Sequence, residues 1–361
     1  MFSAADHEFM ARALQLAERG LLSTTPNPRV GCVIVRDGTV VGEGWHQRAG
    51  EAHAEVHALQ AAGAAAQGAT AYVTLEPCSH HGRTPPCCEA LQSAGIGRVI
   101  AAMQDPNPMV AGQGLAWLRD AGIETACGLM EAEARELNIG FVSRMTRGRP
   151  WLRLKAATSL DGRTALPNGE SQWITGPEAR LDGHRWRARA CAILTGIGTV
   201  RDDDPQLTVR GVETLRQPLR VVVDSRLEIS PDARVLQGGR VLVVAAIEAP
   251  LQASVIEATG AEVICLANAD GKVDLPALLR ELAKRGVNEL HVEAGFKLNG
   301  SLMREGLVDE LLLYVAPCLL GDASRGLFNL PELESLEEKR RMRWHELRQV
   351  GADLRIMARL I

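Results

Sequence analysis

The stretch Ala71-Tyr72-Val73-Thr74-Leu75-Glu76-Pro77-Cys78, followed after eight residues by Cys87-Cys88-Glu89-Ala90-Leu91-Gln92, decides the fold of the first half of this chain. The β-branched and aromatic residues at 71–75 predict a strand. Ser79 to Pro86 is too polar and too rich in turn-formers for a helix, so it reads as a loop, and Cys87 then opens a helix. Upstream, His53-Ala54-Glu55 starts another helical run, Ala54 to Ala62. One imidazole and two thiolates make a three-ligand zinc set whose fourth position is open to water, the pattern of catalytic rather than structural zinc. Cys87 and His53 both stand at helix starts, where the dipole favours a thiolate and hence metal ligation.

Glu55, two residues beyond the histidine, is spaced to carry protons without joining the metal shell. H-x-E followed by two Pro-Cys elements matches the known signature of zinc deaminases. The match has one departure, since the short signature has two residues between its cysteines and this chain has eight. His80, His81 and Cys88 compete as ligands. Cys88 lies about 100° around the helix from Cys87, so the two cannot face one metal equally, and Cys87 is the expected ligand. The bland alternative is a chance grouping of buried thiols, because free cysteine is commonly a core residue.

A chain of 361 residues, 46% hydrophobic and 23% charged, is long enough for two globular domains. A net charge of −4 argues against a dedicated nucleic-acid or membrane-surface binder. No apolar run approaches membrane-spanning length, and Met1 to His7 lacks the basic-then-apolar pattern of a secretory signal. Cys32, Cys127, Cys191, Cys265 and Cys318 are scattered singly in apolar surroundings, as expected of reduced core thiols in a cytoplasmic protein. Small-molecule partners are therefore expected, with no nucleic acid and no membrane; a homo-oligomer stays open.

The two halves have different grammars. Ser3-x-x-Asp6 offers a capping box for a helix ending at Gly20, and Asp37-Gly38 sits between two apolar runs as a hairpin turn. With further strands near 71–75, 98–103 and 123–127, the first half reads as an α/β sandwich of about five strands. Met145-Thr146-Arg147-Gly148-Arg149-Pro150 reads as a linker, or else as a surface loop of one large domain. Beyond it come Trp151–Ala157, a helix at Pro177–Arg189, and strands at Cys191–Thr195, Arg220–Val223, Arg240–Ala245, Glu262–Cys265, Asn288–Glu293 and Val308–Val315. These predict a second, mostly parallel α/β domain.

Signals for chemistry in the second half are weaker. Gly196-Ile197-Gly198 lacks the third glycine of a dinucleotide fingerprint. Ala294 to Ser301, between a strand and a helix, is either an anion-binding glycine loop or an ordinary tight turn. Asp224-Ser225-Arg226 and Asp202-Asp203-Asp204-Pro205 are each either a turn or a ligand contact.

The insert Pro77 to Cys87, with Thr25-Pro26-Asn27-Pro28-Arg29-Val30-Gly31 and Asp105-Pro106-Asn107-Pro108, resembles the bifunctional riboflavin-biosynthesis deaminase/reductases. The second half resembles the reductase domain of that family through Lys155 to Gly162, Gly169 to Thr175, Asp203 to Arg210 and Val292 to Gly295. The resemblance implies a cytidine-deaminase-like α/β/α sandwich over residues 1–146 and a dihydrofolate-reductase-like α/β domain over 150–361. It implies one Zn2+ per chain on His53, Cys78 and Cys87, with Glu55 catalytic. Asn27, His46, His80 and Arg83 would hold the deaminase substrate. NADPH would contact Ala157, Trp173, Thr199, Asp203, Ser225, Gly295, Phe296, Lys297, Leu298, Asn299, Gly300 and Ser301. Ser171, Arg187, Leu207, Arg210 and Glu293 would hold the reductase substrate, the arginines near its phosphate, with Lys155 a further contact to its sugar. The implied reactions are hydrolytic deamination of a diaminopyrimidinone carrying a phosphoribosylamino chain, then reduction of that ribosyl chain to ribityl. Two other classes remain: a nucleoside or tRNA deaminase fused to an unrelated reductase, and a zinc-stabilised interaction module. The first calls for the short Pro-Cys-x-x-Cys, and a tRNA binder also for a basic patch; the second calls for a fourth protein ligand.

Overall fold

The first helix starts where the capping box predicts. In the computed structural model, which describes residues 1–79 and 86–361, α1 (Ala4–Glu18) begins after Ser3. Ser3 Oγ accepts from Asp6 N at 3.2 Å, and Asp6 Oδ2 accepts from Ser3 N at 2.7 Å. β1 (Gly31–Arg36) and β2 (Thr39–Trp45) form the hairpin around Asp37-Gly38. Then follow α2 (Ala54–Ala62), β3 (Thr70–Val73), α3 (Cys87–Ser93), β4 (Arg98–Ala101), α4 (Gln113–Asp120), β5 (Glu124–Cys127), α5 (Glu131–Leu137) and α6 (Ile139–Arg147). Among the described residues the strands form one sheet in the order β2-β1-β3-β4-β5, antiparallel at β1 and parallel from β3 to β5.

Close helix–strand approach makes this unit an α/β/α sandwich. A Cβ on Gly31 would lie 2.0 Å from Ala13 O of α1, and one on Gly44 would lie 2.4 Å from Ala54 O of α2. Gly44 pairs with Cys32, the neighbour of Gly31, so these two glycines face opposite sides of the sheet. Each side therefore takes one helix at backbone distance, and α2 seats Ala54, Ala58 and Ala62 against the sheet. The expected linker is shorter than its composition suggests, because α6 continues through Met145, Thr146 and Arg147 and ends at Gly148 in the left-handed region. The chain divides into two compact units at Arg149 and Pro150.

The second unit contains β6 (Trp151–Ser159), β7 (Arg163–Ala165), α7 (Pro177–Arg189), β8 (Ala192–Gly196), α8 (Ile197–Asp203) and β9 (Leu219–Val223). Next come β10 (Val241–Ala245), α9 (Pro250–Glu257), β11 (Glu262–Cys265), α10 (Leu275–Lys284), β12 (Glu289–Val292), α11 (Phe296–Arg304) and β13 (Glu310–Ala316). The chain closes with β14 (Arg325–Gly326), β15 (Met342–Val350) and β16 (Asp353–Leu360). Nine strands run in the order β11-β10-β9-β8-β12-β6-β13-β16-β15, parallel from β11 to β13. α10 and α11 cover one face with Leu278, Leu282 and Leu302. Ile193, Val222 and Val243 point to the other, where α7 packs Ala179 against Leu312, Tyr314 and Met357.

The antiparallel pair β15–β16 extends the sheet beyond Val315, where the sequence reading ends. Its apolar signal is weak for a physical reason. β15 is an exposed edge strand rich in polar residues, and β16 carries Arg355 and Arg359 inward onto buried carboxylates. Two cysteines also depart from expectation, since Cys127 and Cys265 are exposed while Cys32 and Cys191 are core.

Candidate active sites

His53 is the N-cap of α2, Cys87 is the first residue of α3, and Cys78 follows β3, so three elements converge on one point. His53 Nδ1 lies 3.2 Å from Cys87 Sγ and 3.6 Å from Cys78 Sγ, and the three ligand atoms lie within 4.8 Å of one another. Tetrahedral zinc with Zn–N near 2.0 Å and Zn–S near 2.3 Å holds nitrogen and sulfur about 3.5 Å apart. The donor set and its spacing therefore fit Zn2+. Cys87 N donates to Cys78 Sγ at 3.3 Å, which places a helix-start N–H on the thiolate. The hydrogen bond from Cys87 brings the Cys78 thiol down to about 4, and the same contact pushes Cys87 up. Contact with Cys78 raises His53. Cys88 turns away, its thiol donating to Pro77 O and Gly114 O at 3.5 Å each.

Glu55 is buried beside the triad, and its Oε2 has no hydrogen-bond partner among the described residues. Burial and the Cys78 charge push its carboxyl up to about 7. Asn27 Nδ2 lies 3.0 Å from His46 Nε2, while His46 Nδ1 lies 3.1 Å from Ala52 O. That pairing makes Nδ1 the donor and Nε2 the acceptor, the neutral tautomer, and burial lowers the imidazole pKa in the same sense. The His46 and His53 rings meet edge to face at 5.3 Å, so Asn27, His46, His53 and Glu55 share one site. His80 and Arg83 lie outside the described residues.

Two supports of this site are invisible to local sequence reading. Buried Glu76 accepts from Asp105 N at 3.0 Å, Gly112 N at 2.9 Å and Leu115 N at 3.1 Å, and so clamps the Asp105–Pro108 motif beside Cys78. Asn138 Oδ1 accepts from Arg29 N at 2.8 Å and Asn138 Nδ2 donates to Arg29 O at 2.9 Å, fixing the end of the loop that carries Asn27. Partners this far apart in the chain leave no periodic signal.

The second unit has a cleft of about 1140 Å³ at the C-terminal ends of its parallel strands, where open α/β sheets bind ligands. It exceeds the usual ~300–1,000 Å³ range for one ligand, room for a cofactor and a substrate together. Ala157, Trp173, Thr199, Asp203, Gly295, Phe296, Lys297, Leu298 and Asn299 line it, as do Lys155, Ser171, Arg187, Leu207, Arg210 and Glu293. Asn299 Oδ1 is buried there without a hydrogen-bond partner among the described residues, and Ser171 Oγ donates to Asp203 Oδ1 at 3.3 Å. These features fit a dinucleotide.

Three expected contacts stand apart from the cleft. Residues 296–301 are the first turns of α11 and not a loop, because Gly295 is already the N-cap. Gly300 faces the protein, where an added Cβ would lie 2.3 Å from Asn329 O, and Ser301 Oγ donates back to Lys297 O at 3.2 Å. Ser225 Oγ accepts from Val273 N at 3.2 Å, as befits a turn.

Arg187 forms a two-pronged ion pair with Glu293, its second contact at 2.9 Å, and donates to Thr208 O at 3.0 Å. Lys155 Nζ lies 3.7 Å from the same carboxylate. Burial acts to raise Glu293, but Arg187 and Lys155 overcome it and hold the carboxyl well below its usual range. Burial lowers the Lys155 ammonium. Farther along the sheet, fully buried Arg153 pairs with Glu289 at 3.1 Å and with Glu310, and stacks 4.3 Å above Trp186.

The two units define a class: a hydrolytic zinc deaminase carried on one chain with a nucleotide-dependent reductase. Residues 3–103 match the family model described as the cytidine and deoxycytidylate deaminase zinc-binding region, and residues 150–356 match the RibD C-terminal domain. The riboflavin biosynthesis protein RibD of Escherichia coli K12 is 52% identical over 362 residues, 97% of this chain and 98% of that protein. The RibD of Haemophilus influenzae is 49% identical over 98% of this chain and 97% of its own. The solved structure of Acinetobacter baumannii RibD, form 1, superposes with a TM-score of 0.92 at 43% identity over 99% of both chains. That of the Thermotoga maritima diaminohydroxyphosphoribosylaminopyrimidine deaminase/5-amino-6-(5-phosphoribosylamino)uracil reductase superposes with a TM-score of 0.87 at 33% identity, again over 99% of both. The chain belongs to the RibD family, the bifunctional deaminase/reductases of riboflavin biosynthesis, with Zn2+ and NADPH as cofactors. Relatives that span both halves together set aside an unrelated fused reductase, and the enzyme family sets aside a purely structural zinc module. No helix of the described residues is long and apolar enough to cross a membrane.

Proposed function

We propose that residues 1–146 replace the 2-amino group of 2,5-diamino-6-(5-phosphoribosylamino)pyrimidin-4-one by oxygen, releasing ammonia. Residues 150–361 then reduce the ribosyl chain of the resulting 5-amino-6-(5-phosphoribosylamino)uracil to ribityl. The observation that carries the reading is the His53, Cys78, Cys87 set beside an unpartnered, buried Glu55 carboxylate oxygen. Zinc held by the three side chains supplies Lewis-acid activation of a water. Glu55 takes one proton of the attacking water and delivers it to the ring nitrogen, then carries the proton of the new hydroxyl to the departing amine, which leaves as ammonia as the C=O bond forms. Asn27 has its amide N–H on His46, which leaves Oδ1 to accept from the pyrimidine. Arg83 is proposed for the ribose phosphate, since a guanidinium suits that anion.

In the second unit NADPH supplies the reducing equivalent. Lys155 and Glu293 stand together at the end of the strands, where they orient the sugar carbonyl and its hydroxyls. The test is an assay of the purified chain with the diaminopyrimidinone phosphate. Ammonia is expected without NADPH, and NADPH oxidation only after deamination. Ammonia release from cytidine or adenosine, with none from this substrate, would overturn the reading.

A further inference from the structure

Side chains alternate along a strand, so Glu289, His291 and, one step past β12, Glu293 share the sheet face that Ile193 occupies on β8 and Arg153 on β6. His291 is fully buried, and neither of its ring nitrogens has a hydrogen-bond partner among the described residues. Buried polar groups are nearly always paired, so an orphaned imidazole in a core calls for a reason. Its Nε2 lies 3.3 Å from Glu293 Oε1, within reach of a hydrogen bond but out of line for one. Hydrogen bonds of a catalytic site are often long or misaligned until substrate binds.

Glu293 and Lys155 line the cleft, and His291 lies behind them in the core. The Glu293 backbone is fixed: its N donates to Leu194 O at 2.9 Å, and its carbonyl accepts from Thr195 Oγ1 at 2.8 Å. Arg187 takes one lone pair from each carboxylate oxygen, Nε on Oε1 and Nη2 on Oε2. What remains is the second lone pair of each, Oε1 toward His291 and Oε2 toward Lys155, 3.7 Å away. Burial keeps the imidazole neutral against the pull of Glu293, and the charges of Arg153 and Lys155 on β6 act in the same sense as burial. A neutral imidazole has a single N–H, and a carboxylate only accepts, so that hydrogen belongs on Nε2.

We propose that His291 is a positioning residue of the reductase: from behind the cleft wall its Nε2–H holds Oε1 of Glu293, which leaves Oε2, beside Lys155, to accept from the sugar. The inference rests on the reading of the cleft as the reductase site. A carboxylate held by the Arg187 fork alone can still rock about that fork. A third donor on the core side removes this freedom before substrate arrives, and a preorganised acceptor needs no reorganisation during reaction. Buried as it is, His291 touches no ligand and acts through Glu293.

The experiment compares His291→Leu, which removes the donor at similar bulk, with His291→Gln, whose amide keeps one, in the full chain. NADPH oxidation is measured with the aminouracil phosphate varied, and NADPH binding by its fluorescence. Circular dichroism verifies folding of both variants. The Leu variant is expected to lose about tenfold in kcat/KM for the aminouracil and the Gln variant at most about threefold, with the NADPH Kd within about twofold of wild type in both. A Leu variant as active as an active wild type overturns the inference alone. Equal losses in the two variants, or NADPH binding weakened in both, mark a packing role and overturn it as well. Nitrogen NMR of the histidine-labelled wild-type chain decides the matter where the Leu variant does not fold, with the His291 signal identified by its loss in the Gln variant. The neutral Nε2–H form upholds the inference, and the Nδ1–H form or an imidazolium overturns it. A wild-type chain that fails to oxidise NADPH with the aminouracil overturns the reading of the cleft and the inference with it.

Discussion

Adjacent cysteines with opposite fates give the sharpest test at the scale of the residue. Cys87 points at His53 and Cys78, whereas the Cys88 thiol is spent on two backbone carbonyls. Metal analysis of Cys87→Ser is expected to show zinc falling from about one per chain to near none, while Cys88→Ser keeps it. The reverse pattern would reassign the ligand. His184 provides a second test, in the other unit. Burial, then Arg187, Arg210 and Lys155, bring its imidazole down to about 4 against an attraction from Glu293, and its Nδ1 accepts from Arg210 N at 3.2 Å. The folded state therefore keeps His184 neutral where the unfolded chain, titrating near 6.5, binds a proton. Its contribution is complete above pH 6.5 and is lost as the pH falls toward 4. Urea midpoints across that window are expected to fall less steeply in His184→Asn than in the wild type; equal slopes would remove His184 from the acid response.

Elements decide how well these residues are held. α2 carries both His53 and Glu55, and its distance from β2 is set by Gly42 and Gly44. A Cβ at Gly44 would meet Ala54 O at 2.4 Å and Ala58 N at 2.6 Å, both backbone atoms that cannot swing away. Gly44→Ala is thus expected to displace α2, to cost about 1–3 kcal/mol by overpacking, and to weaken zinc retention against a chelator. Denaturant melts and chelator titration measure the two effects; an unchanged melt would mean that α2 yields freely. Most elements were legible in the sequence from apolar runs and turn signals, as at the Asp37-Gly38 hairpin and in the strand that ends at Ala245. β15 and β16 were not, since an edge strand needs little apolar surface and buried arginines break the alternation that marks a strand.

Two units with separate cores predict, at the scale of the whole molecule, that one activity can be lost without the other. Glu55→Gln is expected to cut ammonia release by at least about 100-fold, the typical worth of a positioned proton carrier, while NADPH oxidation with the already deaminated aminouracil continues. Glu293→Gln is expected to do the converse, because the Arg187 and Lys155 charges would lose their shared partner. Loss of both activities in a folded Glu55→Gln protein would show instead that the sites act as one.

The donor set that fits zinc, with a glutamate beside it, could be read from the chain, because a ligand set is local chemistry: residue type, spacing and a helix start are enough. Folding alone decided what lies across from each residue. It paired Arg187 with Glu293, it turned residues 296–301 into a helix whose Gly300 faces Asn329, and it put Glu76 and Asn138 to clamping distant loops. Electrostatic pairing and backbone contact depend on distance in space, and residues separated by tens to more than a hundred positions acquire that distance only in the tertiary structure.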